Sequence, residues 1–506
     1  MPSGGMLFID PAFLFIFLPV VVAGFWGAWR LGGRRAALGW MLAACVVFYG
    51  SWDWRDVPVL AFSLAVNFGC GWKLAAESAP ERRRLWLAGG LAFNLGLLVW
   101  YKYAAWLFSC LAAGGLLPSA LETRALPLGI SFFTFQQIVH LMGVWRTGRT
   151  ERSPVKYVLF VAFFPHLIAG PIVRPGEIIP QLQRRPRVGA LLRRLPNALT
   201  LIILGLAKKL LLADALAPTA DAVFQAADAG HSLGAAESWL GLVAYGMQIY
   251  FDFSAYSEIA LGLALLFGVR LPVNFDAPYR AASIVDFWRR WHMTLSRFLR
   301  DFLYLPLGGG QCGPVRQSFN LAVTMLLGGL WHGAHANFLL WGAWHGGLLA
   351  LCHAWWRLAL PAPPRLLGWA LTFASVTLGW AFFRASTTEG ACHLLASAFG
   401  LGGGPSPETW QAIPLLPIQD LIAAASIQGL PIGGVLEWFR PAQRAGWMLT
   451  ALATACALFG PRVWTWVQPQ QKHFGWGLAL VLGVLSFLVT VRQFQGLPSP
   501  FIYFGF

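Results

Sequence analysis

The sequence predicts an all-α polytopic membrane protein, and three observations carry that prediction. Of its 506 residues, 57% are hydrophobic and only 11% charged. A soluble domain carries about 25% charged residues, and so few cannot cover a water-facing surface. Apolar runs recur along the whole chain, several of them at the length that crosses a bilayer. The 26 tryptophans fit the same class, because indole favours the membrane interface.

The apolar runs fall near 13–29, 37–52, 57–77, 85–116, 126–145, 157–173, 196–217, 236–268, 318–331, 336–356, 366–383, 445–461 and 474–491. With about 20 residues needed per crossing, we expect about eleven to thirteen spans or re-entrant pieces around one core. No basic stretch precedes the first run, so 13–29 reads as a retained span and not as a cleaved signal peptide. Arg30, Arg34 and Arg35 follow the first run, and Arg82, Arg83 and Arg84 follow the third. Arg184, Arg185, Arg187, Arg193 and Arg194 make a later basic loop, and Arg280, Arg289, Arg290, Arg297 and Arg300 another. The positive-inside rule puts all of these in the cytoplasm and the N-terminus outside. That rule accounts for the formal net charge of +16 with no nucleic acid. Such a face also attracts anionic lipids or a phosphorylated donor.

Run 157–173 lies between two basic stretches and contains Pro165, Gly170 and Pro171. We expect a re-entrant hairpin there, which requires protein or water to cover its backbone. His166 marks its turn. Residues 402–441 are richer in Gly, Pro and polar residues and read as a long non-cytoplasmic loop with one interfacial helix. There is no evident internal repeat and no soluble second domain, so residues 1–506 form a single membrane domain. The seven cysteines, without a CxxC pair, are packing residues rather than a disulfide framework or a zinc site.

The candidate chemistry centres on LWHGAHANFLLWGAWHG, residues 330–346, where His332, His335 and His345 sit among apolar and small residues. No Asp or Glu occurs between Phe302 and Thr388, so this stretch offers its histidines no carboxylate. On one continuous helix His332 and His335 would share a face, but a pair without a third ligand is a weak metal signal, and no metal is expected. HExxH, the GxSxG elbow and a Walker A loop are absent. The reactive group left is a neutral imidazole acting as general base. A fourth histidine, His292, lies in FWRRWHMTLSRFLRDFLYLPLGG, residues 287–309. Arg289, Arg290, Arg297 and Arg300 suit an interfacial helix, or one wall of an entry site for an anionic donor. Asp252 and Glu258 sit inside an apolar run. Intramembrane acids are costly and often line a cavity, with Gln248, Ser254 and Tyr256 on the same wall. The plain alternative for these groups is helix packing.

With WHG at 331–333 and RWHMTLS 40 residues upstream, the sequence resembles the membrane-bound O-acyltransferase (MBOAT) family, in particular its bacterial branch typified by the alginate O-acetylase membrane subunit. PLGISFFTFQQI (127–138), FFPHLIAGPIVRP (163–175), YFDFSAYSEIALGLALLFG (250–268) and FDAPYRAASIVDFWRRWHMTLS (275–296) support the resemblance, which covers most of 120–350. It implies helices around a tunnel through the membrane, with His332 as catalytic base and His292 as its companion. Asp252, Ser254, Arg289 and Arg290 are the candidate substrate contacts. It further implies an acyl thioester such as acetyl-CoA as donor substrate, with no bound cofactor, and an acceptor on an exported polysaccharide. The setting would be the bacterial inner membrane, beside a periplasmic acetyltransferase or esterase-like partner and polysaccharide export machinery. Two rivals share these features. A transporter or flippase would favour inverted repeats and paired broken helices, which are not seen. A relative acting on lipid or protein acceptors differs only in tunnel shape and docking.

Overall fold

The computed structural model describes residues 5–117, 126–184, 188–403, 442–463, 475–495 and 501–502. Among these the regular structure is helical throughout, with no strand. The loop expected over 402–441 lies outside the described residues apart from its first two positions, as do Arg185 and Arg187.

Most of each apolar run folds as helix. The first two form one run, a π turn at Phe13–Phe17 leading into α1 (Leu18–Gly50), which bends at Gly33. Gly33 has φ 68° and ψ −159°, a conformation open to glycine but not to a side chain with a Cβ. The turn falls among Arg30, Arg34 and Arg35, where the charge pattern puts the cytoplasmic end. Next come α2 (Val57–Ala76), α3 (Pro80–Leu98), a π turn at Val99–Tyr103, α4 (Ala104–Ala113) and α5 (Ile130–Thr147).

The stretch expected to be re-entrant folds as α6 (Pro154–Ala162), a break at Phe163, α7 (Phe164–Leu167) and an irregular return. Ser153 caps α6 by accepting from Lys156 N, with Pro154 at the first helical position. Residues 163–173 are all buried, which is the condition for non-helical backbone at membrane depth. After α8 (Pro175–Gln183), α9 (Val188–Ala207) runs through a π turn at Lys208–Ala213 into α10 (Asp214–Asp228).

The central post is α11 (Ala235–Leu266), with 27 of its 32 residues buried. Glu237 closes its first turn by accepting from Gly234 N at 2.9 Å. After it come α12 (Ile284–Arg290), α13 (Met293–Leu299), α14 (Pro314–His332), α15 (Ala336–Arg357), α16 (Arg365–Arg384), α17 (Thr388–Ala398), α18 (Ala442–Phe459) and α19 (Trp476–Gln495), of which α16, α17 and α18 pack against α11.

Among the described residues six helical runs are long and apolar enough to cross a bilayer: Phe13–Gly50, Trp54–Ala76, Pro80–Ala113, Ala235–Leu266, Arg365–Arg384 and Trp476–Phe494. The chain is a multi-pass membrane protein. The count falls below the expected spans partly because α5, α14 and α15 dilute their apolar character with Gln, Asn, His and Gly.

α14 and α15 pack closely because both carry small residues at the crossing. A methyl group on Gly329 would strike the Phe338 carbonyl, and one on Gly342 the Met325 carbonyl. Such close approach of backbones is how helices associate where hydrophobic burial offers little.

Candidate active site

The helix pattern ends at His332. Gly333 is fully extended, so His332 and His335 do not share one helix. Instead His335 caps α15, its Nδ1 accepting from Asn337 N at 3.2 Å. His332 is 3% exposed, and its ring is boxed by Trp331, Trp341 and Phe383 at centroid distances of 4.9, 5.2 and 5.0 Å.

His292 reaches the same place from the α12–α13 junction. It sits in the left-handed region (φ 42°), rare for a residue with a Cβ, and this turns its ring inward between two short helices. Its Nδ1 lies 3.1 Å from Asn274 Oδ1. The same oxygen accepts from Thr294 N at 3.2 Å and Thr294 Oγ1 at 2.9 Å. A backbone N–H can only donate, so the amide orientation is fixed and the Asn274 atom is the oxygen. His292 therefore carries its proton on Nδ1 when neutral and keeps a lone pair on Nε2. The Trp331 ring stands between the two histidines, 6.2 Å from His292 and 4.9 Å from His332.

The sequence reasoning missed Lys102. It lies in the π turn at Val99–Tyr103 and donates to the Trp331 carbonyl, with Ser131 Oγ at 3.2 Å. The next residue, Tyr103, donates to the Leu330 carbonyl at 2.7 Å. These carbonyls belong to the last turn of α14, where backbone acceptors lack intrahelical partners. Lys102 and Tyr103 thus cap the helix end that carries His332, and the ammonium suits the negative end of the helix dipole. A signal was present: Lys102 is the one charged residue in the middle of run 85–116, and an intramembrane charge points to a site.

His345 is fully buried among Trp341, Trp288 and Phe287. Neither ring nitrogen has a hydrogen-bond partner among the described residues, so it packs without the hydrogen bond that a core histidine usually makes. His166 is buried in α7, with Nδ1 3.0 Å from Gln136 Nε2.

Asp252 meets a lysine rather than a histidine. Its Oδ1 takes Lys209 Nζ at 2.8 Å, and its Oδ2 takes Ile502 N at 2.9 Å. Lys209 also reaches Asp214 at 2.8 Å. The neighbouring Lys208 pairs with Glu258. Asp252 and Glu258 are thus neutralised by consecutive lysines of one π turn. Ser254 lines a small cavity with Ser257, Glu258 and Asn274, so it adjoins the residue that orients His292.

Arg290 is tied to Asp286 at 2.9 Å and lies near Asp276. Arg289 is exposed and has no carboxylate partner among the described residues. It stands one residue from Trp288, whose ring touches His345 and Trp341. Arg297 pairs with Glu177, and Asp301 is shared by Arg300 and Arg174. Burial pushes the Asp301 carboxyl up, but these guanidiniums hold it below its ordinary range. Among the described residues no group of His, Cys, Asp and Glu is placed to hold a metal.

Comparison with known proteins gives the family. The model of the membrane-bound O-acyltransferase family matches residues 119–388, a stretch that holds both His292 and His332. The chain is 36% identical over 513 residues to the probable alginate O-acetylase AlgI of Pseudomonas putida, covering 99% of this chain and all of that protein. It is 36% identical over 430 residues to the peptidoglycan O-acetyltransferase of Helicobacter pylori, covering 79% of this chain and 80% of that one. The teichoic acid D-alanyltransferase of Streptococcus thermophilus is 31% identical over 242 residues, 46% of this chain and 57% of that one. The matched stretch contains the paired buried histidines, and the whole is a helical bundle, so the chain belongs to the membrane-bound O-acyltransferase family and is an O-acyltransferase.

Proposed function

We propose that the protein moves an acetyl group from a cytoplasmic acyl thioester, acetyl-CoA in the simplest case, across the bacterial inner membrane toward an exported polysaccharide. The observation that carries this reading is the meeting of His332 and His292 at Trp331, in an interior held by Lys102.

His332 takes the proton of an acceptor hydroxyl while its oxygen attacks the thioester carbonyl. The tetrahedral intermediate collapses with breakage of the C–S bond, and the thiolate recovers the proton from the imidazolium. The negative charge on the carbonyl oxygen develops in a dry interior, where a fixed cation counts for more than in water. Lys102 is the cation nearest at hand. His292, held by Asn274, is the second polar group beside the reacting atoms. Arg289 and Arg290 stand at the basic end, where a phosphorylated donor would approach. Asp252 and Ser254 belong to the wall around α11.

The relatives named for alginate and peptidoglycan support a polymer acceptor, delivered with a periplasmic acetyltransferase or esterase-like partner and the export machinery. The test uses the purified full chain in proteoliposomes with acetyl-labelled CoA outside and acceptor polymer with the partner inside. Label on the polymer, lost in His332→Ala, is expected. Label on a lipid or on protein would replace the polymer acceptor with one of those. Label crossing as intact donor would return the transporter reading.

A further inference from the structure

A cavity of about 340 Å³ opens at the basic end of the bundle, away from the histidine pair. Arg184, Arg194 and Arg270 line it, facing a wall that includes Trp26, Trp29 and Phe267. Arg193 adds a fourth guanidinium within electrostatic reach of Arg194. None of the four has a carboxylate partner among the described residues. Other arginines at this end are paired with carboxylates, among them Arg174, Arg290, Arg297 and Arg300.

The fold fixes this cluster. Gln181 clamps the backbone of Arg270 both ways, donating to its carbonyl and accepting from its N–H, each at 2.9 Å. Arg194 Nη1 donates to the Gly268 carbonyl at 3.3 Å, and Trp26 Nε1 to the Leu266 carbonyl at 3.2 Å. The turn after α11 is thus held from three elements, which fixes the backbone of Arg270 and the guanidinium of Arg194 at the cavity. Uncompensated cations beside an apolar wall ask for an amphiphile with an anionic head.

We infer that this pocket binds the phosphate head of an anionic membrane phospholipid, with the acyl chains lying along the Trp26, Trp29 and Phe267 wall. Guanidiniums match phosphate oxygens as paired donors, and indole suits the depth at which head meets chain. A free phosphate or the phosphates of a nucleotide would satisfy the arginines but leave the apolar wall uncovered. The site is separate from the histidine pair, so its test does not depend on the acyl-transfer reading.

The test is native mass spectrometry and thermal unfolding of the full chain in detergent, titrated with phosphatidylglycerol or phosphatidylcholine. Phosphatidylglycerol should be retained and should raise the unfolding temperature, an effect weakened by high salt. Phosphatidylcholine should do neither. The double variant Arg184→Gln, Arg270→Gln changes two exposed side chains and should fold, yet bind phosphatidylglycerol about 30-fold more weakly. Inorganic phosphate and coenzyme A, each at millimolar concentration, should leave the bound lipid in place. Equal retention of both lipids, or full binding by the double variant, would overturn the proposal. So would displacement of the lipid by phosphate or coenzyme A, which would make the pocket a site for a soluble phosphate.

Discussion

At the residue scale the account rests on how two histidines are held. Asn274 fixes the His292 ring through one oxygen shared with Thr294. Asn274→Ala removes that acceptor and frees the tautomer, so turnover should fall by roughly 10- to 100-fold with membrane protein level unchanged on a blot. Lys102 and Tyr103 act on the end of α14. Lys102→Met takes away both a helix cap and the nearest cation, and should lower kcat while leaving KM for the donor close to wild type. Tyr103→Phe removes one hydrogen bond worth about 1 kcal/mol and should have a smaller effect. If Lys102→Met raised KM and spared kcat, the lysine would be binding donor rather than serving the reaction. His332 and His292 were legible in the sequence because WHG and RWHMTLS are short local patterns. Asn274 was not singled out, since its role depends on a tertiary contact with the junction carrying His292. Tyr103 was hidden for the same reason: its partner carbonyl lies 227 residues away.

At the scale of elements, the sequence located most of the helices but not every boundary. The apolar periodicity over 318–331 and 336–356 marks α14 and α15 correctly, but it does not reveal that Gly333 is extended and breaks the line between His332 and His335. The break matters, because it ends α14 at His332 and turns His335 into a cap. The helix break within 157–173 was legible from Pro165, Gly170 and Pro171, since these residues oppose a continuous helix. α17 was not foreseen; its start depends on Thr387 accepting from Gly390 N at 2.9 Å, in a stretch without a strong apolar run. The α14–α15 crossing gives a direct test. Gly342→Leu forces a side chain against the Met325 carbonyl and should destabilise the protein by about 3 kcal/mol, read as a lower unfolding temperature in detergent. The same substitution at Gly347, where nothing lies within 4 Å of an added Cβ, should be nearly neutral.

At the scale of the whole molecule, α11 is the post on which distant parts of the chain converge. Lys208 and Lys209 from the preceding π turn neutralise Glu258 and Asp252, while Ile502 near the C-terminus caps the second oxygen of Asp252. The sequence marked both acids as costly inside the membrane but could not name their partners, 50 and 43 residues away. Lys209→Met would leave Asp252 and Asp214 without their shared cation and should cost about 3–5 kcal/mol. Asp252→Asn keeps the Lys209–Asp214 pair and should cost less, with turnover per folded molecule within a few-fold of wild type. A complete loss of turnover in well-folded Asp252→Asn would move that carboxylate from architecture to chemistry.

The central claim is that His332 performs acyl transfer inside this bundle, and polymer O-acetyl content tests it most directly. It would be measured in cells expressing His332→Ala beside wild type, with membrane protein level checked by blot. The account predicts that O-acetylation disappears while the protein persists. Undiminished O-acetylation at equal protein level would contradict it and remove His332 from the catalytic role.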